Sequence, residues 1–172
     1  MSLYDDKPKS VIHRNKWRRD GEGPPYVYSR WVLEYDQYEY PKNLDMVCDL
    51  IRTNLEPKFC PLRFREINKT NPLFGHCVHA TQALYYFFAD KNLTKMSAPC
   101  QGPAEFHWWL QDGNKIIDVT AGQYDHFDFN PPYEKGKVMT KWLGYYGRPH
   151  KKTLELMKKI QKNSQLYLDL LK

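Results

Sequence analysis

Cys77 stands between a bend and a helix. It closes the run Asn71-Pro72-Leu73-Phe74-Gly75-His76-Cys77 and opens Val78-His79-Ala80-Thr81-Gln82-Ala83-Leu84. His107 follows in Phe106-His107-Trp108-Trp109, and Asp118 in Ile116-Ile117-Asp118-Val119-Thr120. A thiol at a helix start, an imidazole on one strand and a carboxylate on the next are the parts of a cysteine-nucleophile triad. A free thiol has a pKa of about 8.5, and at a helix N-terminus beside an imidazolium it falls to roughly 3.5–7.5. His107 is then the base and acid, and Asp118 orients the ring and stabilises its charge. Asn71, six residues before the cysteine, is a candidate side-chain donor to the oxyanion. Each residue alone has an ordinary reading, since a buried helix cysteine is most often an inert small hydrophobe. The conjunction carries the argument.

These side chains need elements to hold them. Pro72 and Gly75 interrupt the chain before Cys77, and helical spacing begins there, with Cys77, Thr81, Leu84 and Phe88 on one face. The first-turn N–H groups and the helix dipole would favour both a thiolate and an oxyanion. After Cys100 the period changes to two. Residues 106–111 and 115–120 flank Asp112-Gly113-Asn114, a hairpin signal that places Asp118 near residue 107 or 108. A register slip of one residue would turn the carboxylate away.

The remaining chain supplies packing. A helix is expected from Leu44 to Leu55, with Asn43 as its N-cap, and an irregular, proline-punctuated stretch then leads to Pro72. A short strand is expected within 26–33 and another over 138–143. An amphipathic helix over 153–171 places Met157, Ile160, Ser164, Leu168 and Leu171 on one stripe. Helices packed on a mostly antiparallel sheet make an α+β fold. Residues 1–25 read as an N-terminal arm and residues 26–172 as one domain.

With 172 residues, the chain is of ordinary single-domain length. It has no apolar run of membrane-spanning length and no N-terminal secretory pattern. Four unevenly spaced cysteines (Cys48, Cys60, Cys77, Cys100) fit free thiols and a cytoplasmic location better than a disulfide framework. The net charge of +6 is concentrated in residues 1–20 and 134–172. Solvated faces explain it best, because no nucleic-acid-binding signature accompanies it, although the basic ends are compatible with an anionic protein or nucleic-acid partner.

The run Asn71-Pro72-x-x-Gly75-His76-Cys77, with Leu84 beyond it, resembles the YunG-like proteins. So do His107-Trp108-Trp109 and Gly113-x-x-x-Ile117-Asp118-Val119-Thr120-x-x-Gln123-Tyr124. The likeness covers about 44–125, with His76 standing where the family has glutamine. Such proteins look like compact members of the papain-like and NlpC-like cysteine peptidase superfamily. The resemblance implies a nucleophile-bearing helix on an antiparallel sheet, with Cys77 as nucleophile, His107 as base and Asp118 as orienting carboxylate. The expected substrate is a peptide or another amide, ester or isopeptide; neither cofactor nor metal is required. Hydrolysis and acyl transfer remain open.

Two other readings use the same residues. A papain-like scaffold without turnover could serve as a binding or inhibitor module. A zinc site could draw on His76, Cys77, His79, Cys100, His107 and Asp118, but neighbouring positions at a helix start converge poorly on one ion and no P-C-x-x-C signature is present. His79 reads as a satisfied polar neighbour, and Tyr124 as core packing.

Overall fold

In a computed structural model the described residues are 44–88, 93–142 and 149–170, with side chains described through 163. The arm, the strand expected within 26–33 and the Asn43 cap lie outside them.

Helix α1, Leu44–Asn54, follows the expected spacing and buries Leu44, Val47, Cys48 and Ile51 on one face. The stretch after Pro57 is more regular than its prolines imply. Short 3-10 turns at Pro57–Phe59 and Leu62–Phe64 lead into helix α2, Arg65–Thr70. Helix α3, Cys77–Phe87, is apolar around most of its circumference and lies buried in the main core.

Four antiparallel strands follow: β1 Thr94–Pro99, β2 Phe106–Asp112, β3 Lys115–Ile117 and β4 Lys137–Val138. Their order in the sheet is β3-β2-β1-β4. Strand β1 carried too weak an alternation to be read from sequence. Of the strand expected over 138–143, the described residues hold the end of β4, a backbone bond from Met139 N–H to the Lys95 carbonyl at 2.8 Å and a single bridge residue, Trp142; residue 143 lies outside them. Helix α4, Lys151–Leu170, begins two residues earlier than expected and buries Thr153, Leu156, Met157 and Ile160. The outer part of its expected stripe, from Ser164 onward, lies beyond the described side chains.

Alternation in β2 divides the sheet into two faces. Trp108 and Leu110 point into the core shared with α1, α3 and α4. Trp109 points to the other side, where it packs with Met96, Ala98, Ile116 and Tyr133. At roughly 1.5–3 kcal/mol for each fully buried large apolar side chain, these two clusters clamp β2 from both faces. The result is a mixed α+β fold in which the strand bearing His107 lies inside the sheet.

Candidate active site

The nucleophile candidate is set by a braced bend. Asn71 and Pro72 open a turn closed by the Phe74 N–H on the Asn71 carbonyl, 2.9 Å. The Asn68 amide ties this turn down by donating to the Pro72 and Phe74 carbonyls at 3.0 and 2.8 Å. Gly75 has φ +80°, and a Cβ there would lie 2.5 Å from Cys60 Sγ, so both conformation and space demand glycine. Helix α3 starts two residues later, at Cys77.

Helix α3 runs alongside β2. Thr81 Oγ1 donates to the Trp108 carbonyl at 3.0 Å, and Cys77 Sγ lies 3.9 Å from the Phe106 carbonyl. Four helical residues rise about 6 Å and two strand residues span about 6.7 Å, so the two elements stay in step. This places the thiol beside the backbone of the residue before His107, near enough for Cys77 to favour the charged imidazole.

In the β2–β3 ladder Leu110 pairs with Ile117 and Asp112 with Lys115, so the turn is only Gly113-Asn114. Continued one residue, that register sets Asp118 across from Trp109, beyond the positions expected. The shift preserves the face, and the carboxylate reaches His107 diagonally. His107 Nε2 and Asp118 Oδ2 are 2.6 Å apart, with both residues 1 % exposed or less. Strand pairing stops at Ile117, and residues 118–120 turn into a 3-10 segment, Ala121–His126.

Three further residues complete the surroundings. The Thr120 N–H and hydroxyl donate to Asp118 Oδ1 at 3.0 and 3.4 Å, and the Tyr133 hydroxyl donates to Oδ2 at 2.7 Å. Gln123 Nε2 lies 3.4 Å from His107 Nδ1 and donates to the Thr120 carbonyl and hydroxyl, both at 3.1 Å. With Nε2 directed at the carboxylate, Nδ1 is the nitrogen left for the thiol. No role is expected for Thr120 from sequence, although the tendency of an Asp side chain to bond the N–H two residues on is a local signal for it. Tyr133, fifteen residues away in a proline-led loop, gave no local signal.

Burial disfavours a charged His107, but the charge and hydrogen bond of Asp118, together with the Cys77 contact, outweigh it and raise its pKa to about 10. Burial raises the thiol of Cys48 well above its ordinary value and also raises those of Cys60 and Cys100.

Asn71 has a different placement from the one its spacing implied. Its Nδ2 donates to the Gln123 carbonyl at 2.8 Å, joining the bend before Cys77 to the turn beside His107. The first-turn amides of α3 are the donors that helix geometry leaves without intrahelical partners.

No family model, curated protein or solved structure matches this chain.

The zinc-alternative residues have separate surroundings. His79 Nδ1 lies 3.0 Å from Thr153 Oγ1 and its ring stacks on His150, while His107 is held by Asp118. Among the described residues, no group of three or more His, Cys, Asp and Glu side chains is arranged to hold a metal ion. No described helix is long and apolar enough to cross a membrane.

Proposed function

We propose that this protein is a cysteine-nucleophile enzyme with a papain-like core, acting on an amide, ester or isopeptide bond. One observation carries the reading: a dry imidazole is bonded to a carboxylate at 2.6 Å, on the strand whose neighbouring carbonyl, Phe106, meets a helix-start thiol, and both groups favour its charged form. Cys77 Sγ attacks the carbonyl carbon, forming the S–C bond, and the carbonyl oxygen takes negative charge beside the first-turn amides of α3. As the tetrahedral centre collapses, the bond to the leaving nitrogen or oxygen breaks, and His107 Nδ1–H protonates that atom. Water or an amine then gives Nδ1 a proton while attacking the thioester, and the thiol is released. Asp118 keeps Nε2–H pointed inward throughout.

Competitive alkylation tests the first requirement. Iodoacetamide near pH 6, followed by peptide mass spectrometry, is expected to modify Cys77 at least tenfold faster than Cys48, Cys60 or Cys100, whose thiols are disfavoured as thiolates. Cys77→Ala is expected to abolish turnover of activated esters and peptides without loss of fold. Retained turnover would refute the proposal. The alternative of a non-catalytic module draws on two facts: Cys77 is only 8 % exposed, and the Gln123 amide lies beside Nδ1. Equally slow labelling of all four cysteines would select it.

A further inference from the structure

We infer that Tyr133 is a positioning residue for this site: its hydroxyl shares Asp118 Oδ2 with His107, fixing that oxygen and moderating its pull on the imidazolium. The inference rests on the catalytic reading of Cys77, His107 and Asp118.

The geometry is specific. Asp118 Oδ2 receives His107 Nε2 at 2.6 Å and Tyr133 Oη at 2.7 Å, while Oδ1 is occupied by Thr120. A phenol can donate only one proton, and here it is directed to the oxygen that faces the ring. A second donor on that oxygen draws off negative charge that would otherwise hold the imidazolium proton. His107 thereby stays a strong enough acid to protonate a leaving group.

Tyr133 is also held firmly enough to do this. Pro131 and Pro132 precede it, its N–H bonds the Pro131 carbonyl at 3.0 Å, and its carbonyl accepts the Gly136 N–H at 3.1 Å. Its ring meets Trp109 edge-on, with centroids 5.1 Å apart. Gly136 is required for this closeness, because a Cβ there would sit 2.6 Å from Trp109 Cζ2. Beyond it, Lys137 and Val138 pair with β1, which anchors the strap to the sheet. Asp118 is thus fixed from two directions, by its own turn through Thr120 and by a distant strap through Tyr133.

The test uses the full chain with Tyr133→Phe and Tyr133→Leu. The His107 Cε1–H resonance is titrated by NMR, and kcat and KM are measured against pH on any ester or peptide that the wild type turns over. In both variants the His107 midpoint is expected to rise by about one pH unit, because each has lost the same hydrogen bond to a charged group. Turnover is expected to show the same upward shift of its alkaline limb, with kcat about tenfold lower at neutral pH and KM unchanged. An unshifted midpoint in Tyr133→Phe, or a shift confined to Tyr133→Leu, would overturn the inference by assigning the effect to ring packing. The titration needs no substrate. A shifted midpoint in a protein whose Cys77 alkylates slowly would keep the coupling and remove the enzyme reading.

Discussion

Asp118 is surrounded by donors, and that makes its charge hard to imitate. His107 Nε2, the Tyr133 hydroxyl and the Thr120 N–H and hydroxyl all converge on its two oxygens. In Asp118→Asn one oxygen becomes an NH2 group, so at least one pair of donors must face each other. With the NH2 toward Thr120, the backbone N–H loses its acceptor. With it toward His107, the ring is driven to the tautomer carrying its proton on Nδ1, which cannot accept from the thiol. The expected result is a fall in kcat of about 10⁴, with KM little changed, in steady-state assays. A buried donor left unpaired also costs about 1–3 kcal/mol, measurable by urea unfolding. A variant retaining near-wild-type turnover would show that the carboxylate does not set the ring's tautomer.

Elements deliver these residues, and the bend before α3 is the least forgiving of them. Gly75→Ala would impose a Cβ on Cys60 Sγ at 2.5 Å in a backbone conformation that L-residues adopt only with strain. A loss of about 2–4 kcal/mol in urea unfolding is expected, from roughly 1–3 kcal/mol of backbone strain plus the collision. Wild-type stability in this variant would mean that the bend is more plastic than its geometry indicates. Sequence reasoning found this element because Pro72, Gly75 and the apolar helix stand next to one another. It found the β2–β3 hairpin through Asp112-Gly113-Asn114, yet placed Asp118 one or two residues out of register, since the actual turn is Gly113-Asn114. Strand β1 escaped notice because Thr94-Lys95-Met96-Ser97-Ala98-Pro99 has little alternation, and its place is set by pairing with β2. Tyr133 was illegible for a related reason: its partner lies across the sheet and not along the chain.

The molecule as a whole contains histidines pulled in opposite directions. Burial, reinforced by Lys152, lowers His76 to about 4; burial, with the charges of His150, Lys152 and His76, lowers His79 to about 3. Both bind protons more readily unfolded, near pH 6.5, than folded. Their stabilising contribution is therefore complete above about 6.5 and is lost as pH falls toward 4. His107, raised to about 10, behaves inversely: its contribution is complete below 6.5 and disappears as pH rises through 10. Urea unfolding should give greatest stability near pH 6.5–7, with a decline of about 2 kcal/mol for each of His76 and His79 between pH 7 and pH 5. His79→Gln should remove about half of the acid decline, leaving the His76 share, and His107→Gln should flatten the alkaline limb; unchanged limbs in both would remove the assignment. The acid limb also identifies a joint. His79 meets Thr153, and Thr153 and the His150 N–H both donate to Gln82 Oε1, at 2.6 and 2.9 Å, so protonation strains the seating of α4 on α3.

The hairpin that carries His107 and Asp118 has a consequence for how the protein matures. Imidazole and carboxylate are eleven residues apart and joined by a two-residue turn, whereas the sulfur meets the Phe106 carbonyl from twenty-nine residues away. Short-range closure forfeits less chain entropy, so the proton-handling half can assemble ahead of the half that bears the electrophile's target. Until α3 docks on β2, Cys77 is an ordinary thiol, sheltered from premature chemistry by having no partner. Brief pulses of iodoacetamide near pH 6, where an ordinary thiol reacts slowly, at successive refolding times should therefore see fast Cys77 labelling appear late, together with native tertiary signals. That reactivity would serve as a clock for the docking step.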